Sequence, residues 1–291
     1  MQPGIPKPAA DPHEILESGR IFTLEEPSFC VSEVDQQFLL GSREEEIGHH
    51  KNIAYRPLTG HVTGTGKLDA AGIERLRTIL EAYSKWAIET AGRLLPRYRA
   101  AWKLDYASLR PLEESGRQLP WKKRNDLLHT DAFPTRPTNG GLILRMFTNI
   151  HPTKQRVWVI SDPFETIAPR HADAAGLPRA VNGAGLRLLK RGLRAVGLPL
   201  IVRSPYDEFM LRFHDYLKHN AEYQSACPKY EFVFPPGATW LVFTDIVPHS
   251  VLSGQLALEQ TFLISRDSLA SPERAPISIL ERIAATRLSL P

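Results

Sequence analysis

The sequence has few cysteines and no long apolar run. Cys30 and Cys227 are its only cysteines among 291 residues, and their separation matches no metal-binding spacing. A disulfide-rich secreted protein is therefore excluded, and a reducing compartment is the simpler interpretation. No stretch approaches the roughly 20 apolar residues of a membrane-spanning helix, and the N-terminus lacks the apolar run of a signal peptide. We expect a cytoplasmic protein for which any membrane contact is peripheral.

Excess charge of one sign is also small. The chain has 36 Lys and Arg residues against 32 Asp and Glu residues, a net charge of +4. A mildly basic protein suits an anionic partner such as a phosphate, a carboxylate or an acidic membrane surface, but does not identify one. No arginine-rich run with interleaved aromatics and no recognition motif appears, so we expect no nucleic-acid partner.

Short apolar segments with strand character dominate the second half of the chain. Turn residues, mostly proline and glycine, separate them, a pattern typical of an all-β barrel or sandwich. The segments are 141–149, 156–160, 230–234, 239–243 and 257–265.

Helical periodicity marks other parts of the sequence. Apolar residues recur at steps of three and four from Asp69 to about Arg93, which predicts a bracing helix with Asp69 as N-cap. The segment 165–225 is helical in character and forms an insertion between strands, with one helix from Pro205 to about Tyr223. Residues 102–124 are polar and predict a long loop.

The stretch Leu127–Pro134 contains the triplet His129-Thr130-Asp131 directly after two leucines. If the triplet lies on a β-strand, His129 and Asp131 project to the same face while Thr130 points away. An imidazole and a carboxylate side by side supply two ligands of a metal site. The plainer alternative is a strand histidine hydrogen-bonded to an aspartate at a sheet edge.

A third ligand is available in His249, which follows a core strand and a proline. Two histidines and one carboxylate with open positions opposite suit non-haem Fe(II) oxygenases. Asp245 lies nearby, as a partner of a ligand or as a turn residue. The histidines at 49, 50, 151, 214 and 219 are less favoured, because each lies in a charged loop, in a turn or on a helix without paired spacing.

With both parts of the triad in place, the chain resembles the Fe(II)/2-oxoglutarate-dependent oxygenases. Within them, residues 128–138, 145–152 and 156–158 resemble the family that hydroxylates 3-deoxy-D-manno-oct-2-ulosonic acid (Kdo). The resemblance implies a mainly β fold with flanking helices, built on a double-stranded β-helix (jelly-roll or cupin-like) core. We expect one domain over 1–291, with a mixed, partly helical N-terminal extension (1–100), the core (101–268, including the helical insertion 165–225) and a C-terminal tail (269–291).

The resemblance also implies the chemistry. Fe(II) is expected on His129, Asp131 and His249, with 2-oxoglutarate and O2 as co-substrates and ascorbate as a candidate reductant. Oxidative decarboxylation of 2-oxoglutarate is coupled to hydroxylation of C3 of a Kdo sugar in the lipopolysaccharide inner core, as in Kdo-lipid A.

One departure from the superfamily concerns the cation that holds the distal carboxylate of 2-oxoglutarate. The position that is basic in many members, counted from His249, falls on Glu259 and Gln260. Arg145 is our first choice instead, because an arginine fork binds a carboxylate through two hydrogen bonds. Further candidates for the co-substrate site are Asn149, on the same strand face as Arg145, together with Gln260, Arg266 and Arg110.

Substrate contacts are expected from Arg136 and Thr138 in the matched run. The basic and apolar segment 185–196 is a candidate for peripheral contact with the cytoplasmic face of the inner membrane, with plain packing as the alternative.

Two other functions stay open: a lipopolysaccharide- or membrane-surface-binding β-barrel module without catalysis, and a zinc hydrolase with the same three ligands. The zinc alternative lacks a His-Glu-x-x-His motif.

Overall fold

The computed structural model describes residues 11–25, 28–41, 52–195 and 197–290. The strands within these ranges are β1 (Phe22–Leu24), β2 (Ile53–Arg56), β3 (His61–Thr63), β4 (Lys103–Arg110), β5 (Leu142–Asn149), β6 (Arg156–Ile160), β7 (Tyr230–Phe234), β8 (Thr239–Phe243), β9 (His249–Ser253) and β10 (Ala257–Ile264). The α-helices are α1 (Pro12–Glu17), α2 (Glu33–Gly41), α3 (Ala70–Leu94), α4 (Pro96–Arg99), α5 (Phe164–His171), α6 (Leu177–Asn182), α7 (Ala184–Ala195), α8 (Pro205–His219), α9 (Ala221–Ala226) and α10 (Pro276–Ala284). Short 3-10 turns cover Trp121–Lys123, Arg266–Ser268 and Pro272–Arg274.

Two antiparallel sheets form the core. The larger has the strand order β1-β8-β5-β10-β4-β2-β3, and the smaller has the order β7-β6-β9. The sheets face each other, because the rings of Phe147 on β5 and Trp158 on β6 are 4.8 Å apart and both touch Trp240 on β8. This arrangement confirms the predicted β core.

Helix α3 covers the outer face of the larger sheet. Asp69 caps it as predicted, its side chain accepting a hydrogen bond of 2.8 Å from Gly72 N. Leu76, Leu80 and Tyr83 are fully buried, and the Tyr83 hydroxyl donates to the Met146 carbonyl at 3.0 Å. Burial of each such side chain contributes about 2 kcal/mol, so packing rather than helix propensity fixes this helix on the sheet.

A buried carboxylate joins the N-terminal part of the chain to its tail. Glu17, at the end of α1, accepts a hydrogen bond of 2.6 Å from the Tyr98 hydroxyl. It also accepts hydrogen bonds from the backbone N–H groups of Ala270, at 2.8 Å, and Ser271, at 2.7 Å. The extension before the barrel and the segment after it are thus held together at one point.

Three local predictions were wrong. The polar stretch 102–124 was predicted as a loop, but its first part forms β4, paired with β10 and β2. The triplet was placed on a strand, whereas His129 makes a single isolated bridge to His249 and Asp131 lies outside any strand. The helix predicted from Pro205 to Tyr223 ends at His219, because the Asn220 side chain caps the next helix.

The segment between β6 and β7 carries helices α5 to α9. Gln224 on α9 fastens this insertion to the core: its side chain accepts from Leu128 N at 3.0 Å and donates to Leu128 O at 2.9 Å. The insertion is therefore fixed beside His129. Across the part of the chain that the structure describes, no helix combines the length and apolar character needed to cross a bilayer.

Candidate metal centre

The backbone brings the two histidines of the predicted triad together. His129 N donates to His249 O at 3.1 Å, and His249 N donates to His129 O at 2.9 Å. Asp131 N donates to Thr244 O at 2.8 Å, which holds the next ligand in place. As a result Asp131 Oδ1 lies 3.9 Å from His129 Nε2, and Asp131 Oδ2 lies 4.0 Å from His249 Nε2.

The ring orientation leaves one nitrogen of each histidine free for a metal. His129 Nδ1 lies 2.7 Å from the Leu127 carbonyl, and His249 Nδ1 lies 3.2 Å from the Val247 carbonyl. A carbonyl oxygen only accepts, so each Nδ1 carries the proton and each Nε2 keeps its lone pair. Such backbone contacts are the usual means of orienting a ligand histidine.

Aromatic neighbours restrict the two rings further. Trp158 stacks on His249 with centroids 5.3 Å apart and an angle of 16° between the planes. His214, on α8, meets His129 edge to face at 4.8 Å. The ligand atoms of His129, Asp131 and His249 all lie within 4.8 Å of one another, and among the described residues they are a group that could hold a metal ion.

The protonation states also suit a metal. Burial lowers the pKa of His249 to about 4 and lowers the pKa of His129 well below its usual value. Burial alone would raise the pKa of Asp131, but the charge of Arg145 holds it well below its ordinary range. Neutral imidazoles and an ionised carboxylate are the forms that bind metals.

An ion-pair network extends from the triad into the larger sheet. Arg145 Nη2 lies 2.8 Å from Asp131 Oδ2, and Arg145 Nη1 donates to Glu259 Oε1. Arg110 Nε donates to the same glutamate, at Oε2, at 2.8 Å. Glu259 is 2 % exposed, and although burial would raise its pKa, Arg110 and Arg145 keep it lowered and the carboxylate charged.

The triad opens into a cavity of about 360 Å³ between the sheets and the helical insertion. Its lining includes five cationic side chains and only two carboxylates besides neutral histidines, so it favours anionic ligands. The cationic residues are Arg110, Lys122, Arg136, Arg145 and Lys218, and the carboxylates are Asp131 and Glu259.

Some of the other candidate residues line the cavity, and others lie elsewhere in the structure. Arg145, Arg110 and Arg136 line this cavity. Gln260 is next to Glu259 on β10, and its side chain points to the opposite face of the sheet, where it meets Ser84 on α3 at 2.7 Å. Arg266 pairs with Glu281 outside the cavity, at 3.2 Å.

Two further candidates also lie away from the cavity lining. Asn149 shares the face of Arg145, but its amide donates to the carbonyls of Lys154 and Phe234, each at 3.0 Å, where it secures the end of β5. Thr138 lines a separate cavity near the tail, and its backbone N–H donates to Asp207 at 2.8 Å.

His214 and Lys218 both line the cavity, although only a weak signal in the sequence indicates them. They are four residues apart on α8, a spacing that places them on one helix face and could have drawn attention to them. His151 and His219 are engaged elsewhere, with backbone N–H groups and with Trp121 respectively. The histidines at 49 and 50 lie outside the described residues.

Asp245 supports the backbone near the triad. Its Oδ1 accepts from Ile143 N at 3.0 Å, at the start of β5. Burial raises the pKa of this carboxyl to about 7. It therefore acts as a turn residue that anchors β5, with Oδ2 buried and unpaired among the described atoms.

Comparison with known proteins identifies what this arrangement is similar to. The family described as 3-deoxy-D-manno-oct-2-ulosonic acid (Kdo) hydroxylase matches residues 2–287. No curated protein sequence matches the chain.

Solved structures of the Kdo hydroxylase KdoO, a non-haem Fe(II) alpha-ketoglutarate (2-oxoglutarate)-dependent dioxygenase, share the fold. The complex with alpha-ketoglutarate and Fe(III) is 33% identical at a TM-score of 0.82, covering 95% of this chain and 90% of that one. The complex with cobalt(II) is 34% identical at a TM-score of 0.83 with the same coverage. The apo structure is 34% identical at 0.82, again covering 95% of this chain and 90% of that chain. The predicted double-stranded β-helix is thereby confirmed.

Proposed function

The chain belongs to the Kdo hydroxylase family, and from that premise we propose that it hydroxylates C3 of a Kdo residue in Kdo-lipid A of the lipopolysaccharide inner core. The reaction uses Fe(II), 2-oxoglutarate and O2, which makes the protein a non-haem iron dioxygenase. The observation that supports this most directly is the cluster of His129, Asp131 and His249 inside a cationic cavity.

The triad fits Fe(II) by its donor set. Two neutral imidazoles present Nε2 lone pairs, and one ionised carboxylate lies about equally far from both, at 3.9 and 4.0 Å. Two histidines and a carboxylate with open positions are typical of non-haem Fe(II) oxygenases. When bound, the iron supplies the O2 chemistry that amino-acid side chains lack. The protein's part is to orient the ligands and keep water away.

Arg145 is the residue we propose for the distal carboxylate of 2-oxoglutarate, with Arg110 beside it. Arg145 Nε is a buried donor without a partner among the described atoms. Arg110 reaches the same pocket across Glu259. Glu259 stands where many superfamily members carry the cation, and it orients both arginines by accepting from each.

Arg136 is proposed to meet the sugar acid at the wider part of the cavity. Its guanidinium lies 4.2 Å from the Tyr106 ring centroid and 4.5 Å from the Phe133 ring centroid. Asp105 holds it at 3.0 Å. A guanidinium fixed between two aromatic rings presents rigid hydrogen-bond donors to the sugar hydroxyls, and the two rings present apolar faces to the sugar ring.

Helix α7 is proposed as the peripheral contact with an anionic membrane surface, where a lipid-linked substrate resides. Two of its leucines face outward: Leu188 is 66% exposed and Leu189 is 58% exposed. Arg187, on the other face, is buried and pairs with Glu208 at 3.2 Å. An amphipathic helix that exposes its apolar side, next to basic residues such as Arg191 and Arg194, suits the interface of an acidic bilayer.

The experiment is a reaction with purified protein, Fe(II), 2-oxoglutarate, O2 and Kdo-lipid A. We expect the sugar to gain one oxygen atom and succinate to be released. His129→Ala and Asp131→Ala lose both products, while His219→Ala, an exposed histidine on α8, keeps them. Full activity of His129→Ala would contradict the proposal.

A zinc hydrolase with the same ligands makes a different prediction. Its activity would need zinc and no 2-oxoglutarate, and it would release no succinate. Metal analysis after anaerobic purification, followed by reconstitution with Fe(II) or Zn²⁺, separates the two functions.

A further inference from the structure

One face of helix α8 forms a wall of the cavity beside the triad. His214 and Lys218 are four residues apart and both line the cavity. The neighbouring face of the helix is anchored in the core through Phe209, Phe213 and Leu217, all fully buried. The helix cannot turn this wall away without exposing those three side chains, so the positions of His214 and Lys218 are fixed by packing.

Lys218 is a cation without an ion-pair partner in the part of the chain that the structure describes. Its side chain is buried, at 6% exposure, and Nζ donates to the Lys122 carbonyl at 3.1 Å. Burial lowers the pKa of its ammonium group. An ammonium has three donors and binds strongly to a carboxylate when both are out of water, so an incoming anion would relieve the cost of burying this charge.

His214 presents an acceptor into the same space. Its Nδ1 lies 2.7 Å from the Thr130 carbonyl, so the proton is on Nδ1 and the lone pair is on Nε2. A neutral Nε2 next to the His129 ring can accept a hydrogen bond from a sugar hydroxyl.

The cations on the opposite wall are already neutralised. Arg145 contacts Asp131 and Glu259, and Arg110 contacts Glu259. Those arginines belong to the co-substrate in the function proposed above. The sugar acid brings a carboxylate of its own, and Lys218 offers this anion a buried charge that forms no ion pair within the described residues.

The geometry points to a substrate clamp on α8, in which Lys218 pairs with the carboxylate of the sugar acid and His214 accepts from one of its hydroxyls. The clamp sets which carbon faces the metal centre, and it is a positioning device rather than part of the chemistry. It rests on the proposed function. The contact of Gln224 with both Leu128 backbone groups holds the clamp at a constant place relative to His129.

The test for Lys218 pairs a variant with a substrate change. Lys218→Met keeps the apolar stem and removes the charge, and Lys229→Met removes an exposed lysine that does not line the cavity. Binding of free Kdo and of its methyl ester to the metal-free protein is measured by calorimetry or ligand-detected NMR. We expect Lys218→Met to weaken binding of the acid at least tenfold and binding of the ester less than twofold, with Lys229→Met unchanged.

Turnover then separates the clamp from the proposed function. In Lys218→Met, KM for the Kdo glycolipid rises while KM for 2-oxoglutarate stays within twofold of the wild type. Equal loss for acid and ester, or no loss for either, overturns the clamp while leaving wild-type hydroxylation intact. Wild-type protein that yields neither hydroxylated sugar nor succinate overturns the proposed function itself.

The test for His214 uses the coupling of the two half-reactions. His214→Gln retains an amide acceptor near Nε2, and His214→Leu removes it. We expect the succinate released per hydroxylated sugar to rise several-fold in His214→Leu and less in His214→Gln, because a poorly held sugar lets co-substrate turn over without product. An unchanged ratio in His214→Leu, with normal folding by circular dichroism, overturns the role of His214.

Discussion

Arg145 holds Asp131 directly, with Nη2 2.8 Å from Oδ2, so a proposed metal ligand is also one end of a salt bridge. The same guanidinium contacts Glu259. Asp131 is therefore ionised and oriented before a metal arrives. This pairing links the metal centre to the co-substrate pocket through a single side chain.

Replacement of the three candidate arginines by methionine distinguishes their roles. We expect Arg145→Met to raise KM for 2-oxoglutarate at least tenfold and to lower the free energy of unfolding by about 3 kcal/mol, because buried Asp131 loses its arginine partner and Glu259 loses one of two. Arg110→Met raises the same KM by less, since Arg145 remains. Arg266→Met serves as the control, because it pairs with Glu281 outside the cavity.

Steady-state kinetics and urea unfolding of the metal-free proteins provide these measurements. A larger KM effect from Arg266→Met than from Arg145→Met would reverse the assignment. Loss of stability in Arg145→Met without any change in KM would leave Arg145 as a structural cation only.

Asp245 gives a pH dependence with a definite sign. Burial raises the folded pKa of Asp245 to about 7, above the ordinary aspartate value of 3.8. Its contribution to stability is therefore full at low pH and declines as pH rises through that interval. Asp245→Asn keeps an acceptor for Ile143 N and removes the titration. We expect the variant to gain about 3 kcal/mol relative to the wild type between about pH 5 and about pH 8.

Chemical unfolding of both proteins across this range checks the expectation. The difference between them reports mainly on Asp245, since all other titratable groups are common to the two chains. A difference that is flat with pH, or that favours the wild type at high pH, would mean that the buried carboxyl stays charged at low cost.

Arg156 packs so closely against Gly254 that no side chain fits at position 254. A Cβ at Gly254 would lie 2.6 Å from Arg156 Cγ, and the backbone φ of +124° is one that side chains rarely adopt. We expect Gly254→Ala to lower the free energy of unfolding by about 3 kcal/mol or more. The matched control is Gly237→Ala, with φ of +81° and nothing within 4 Å, for which about 1 kcal/mol is expected from strain alone. Equal losses in urea unfolding would show that crowding against Arg156 is unimportant.

Helix α7 is tested with vesicles of acidic phospholipid. We expect wild-type protein to sediment with the vesicles. The double variant Leu188→Ser/Leu189→Ser should bind at least roughly tenfold more weakly, because two leucines leave the interface. Leu58→Ser is the control, since Leu58 is 82% exposed on another part of the surface. Absence of wild-type binding, or identical binding of the double variant, argues for plain packing.

Elements whose apolar residues form a clear pattern could be predicted from the sequence. Elements with one face that lines the polar cavity could not. Helix α3 and strands β5 and β10 follow their hydrophobic patterns. Strand β4 did not, because Tyr106, Ser108 and Arg110 point into the polar cavity and hide the alternation with buried Ala107 and Leu109. A strand that lines a polar site looks like a loop in its sequence.

The site shows the same division. His129 and Asp131 were visible as a motif because two ligand residue types stand two positions apart, and His249 was found by its place after a core strand and a proline. The contribution of α8 was not, since His214 reaches the cavity through the packing of an insertion that is about 80 residues from the triplet in sequence. Gln260 became a candidate because it lies at the counted distance after His249, next to Glu259. Side chains alternate along β10, so Gln260 points to the face of the sheet opposite Glu259.

Glu17 has a consequence for how the chain is made. Two of the three donors that satisfy this carboxylate, Ala270 N and Ser271 N, are synthesised after the whole barrel. During translation a side chain from the first helix therefore stays incompletely satisfied until the last strand has left the ribosome. We expect the emerging protein to acquire its full resistance to proteolysis only at that late stage, in one step that locks the earliest segment and the latest together.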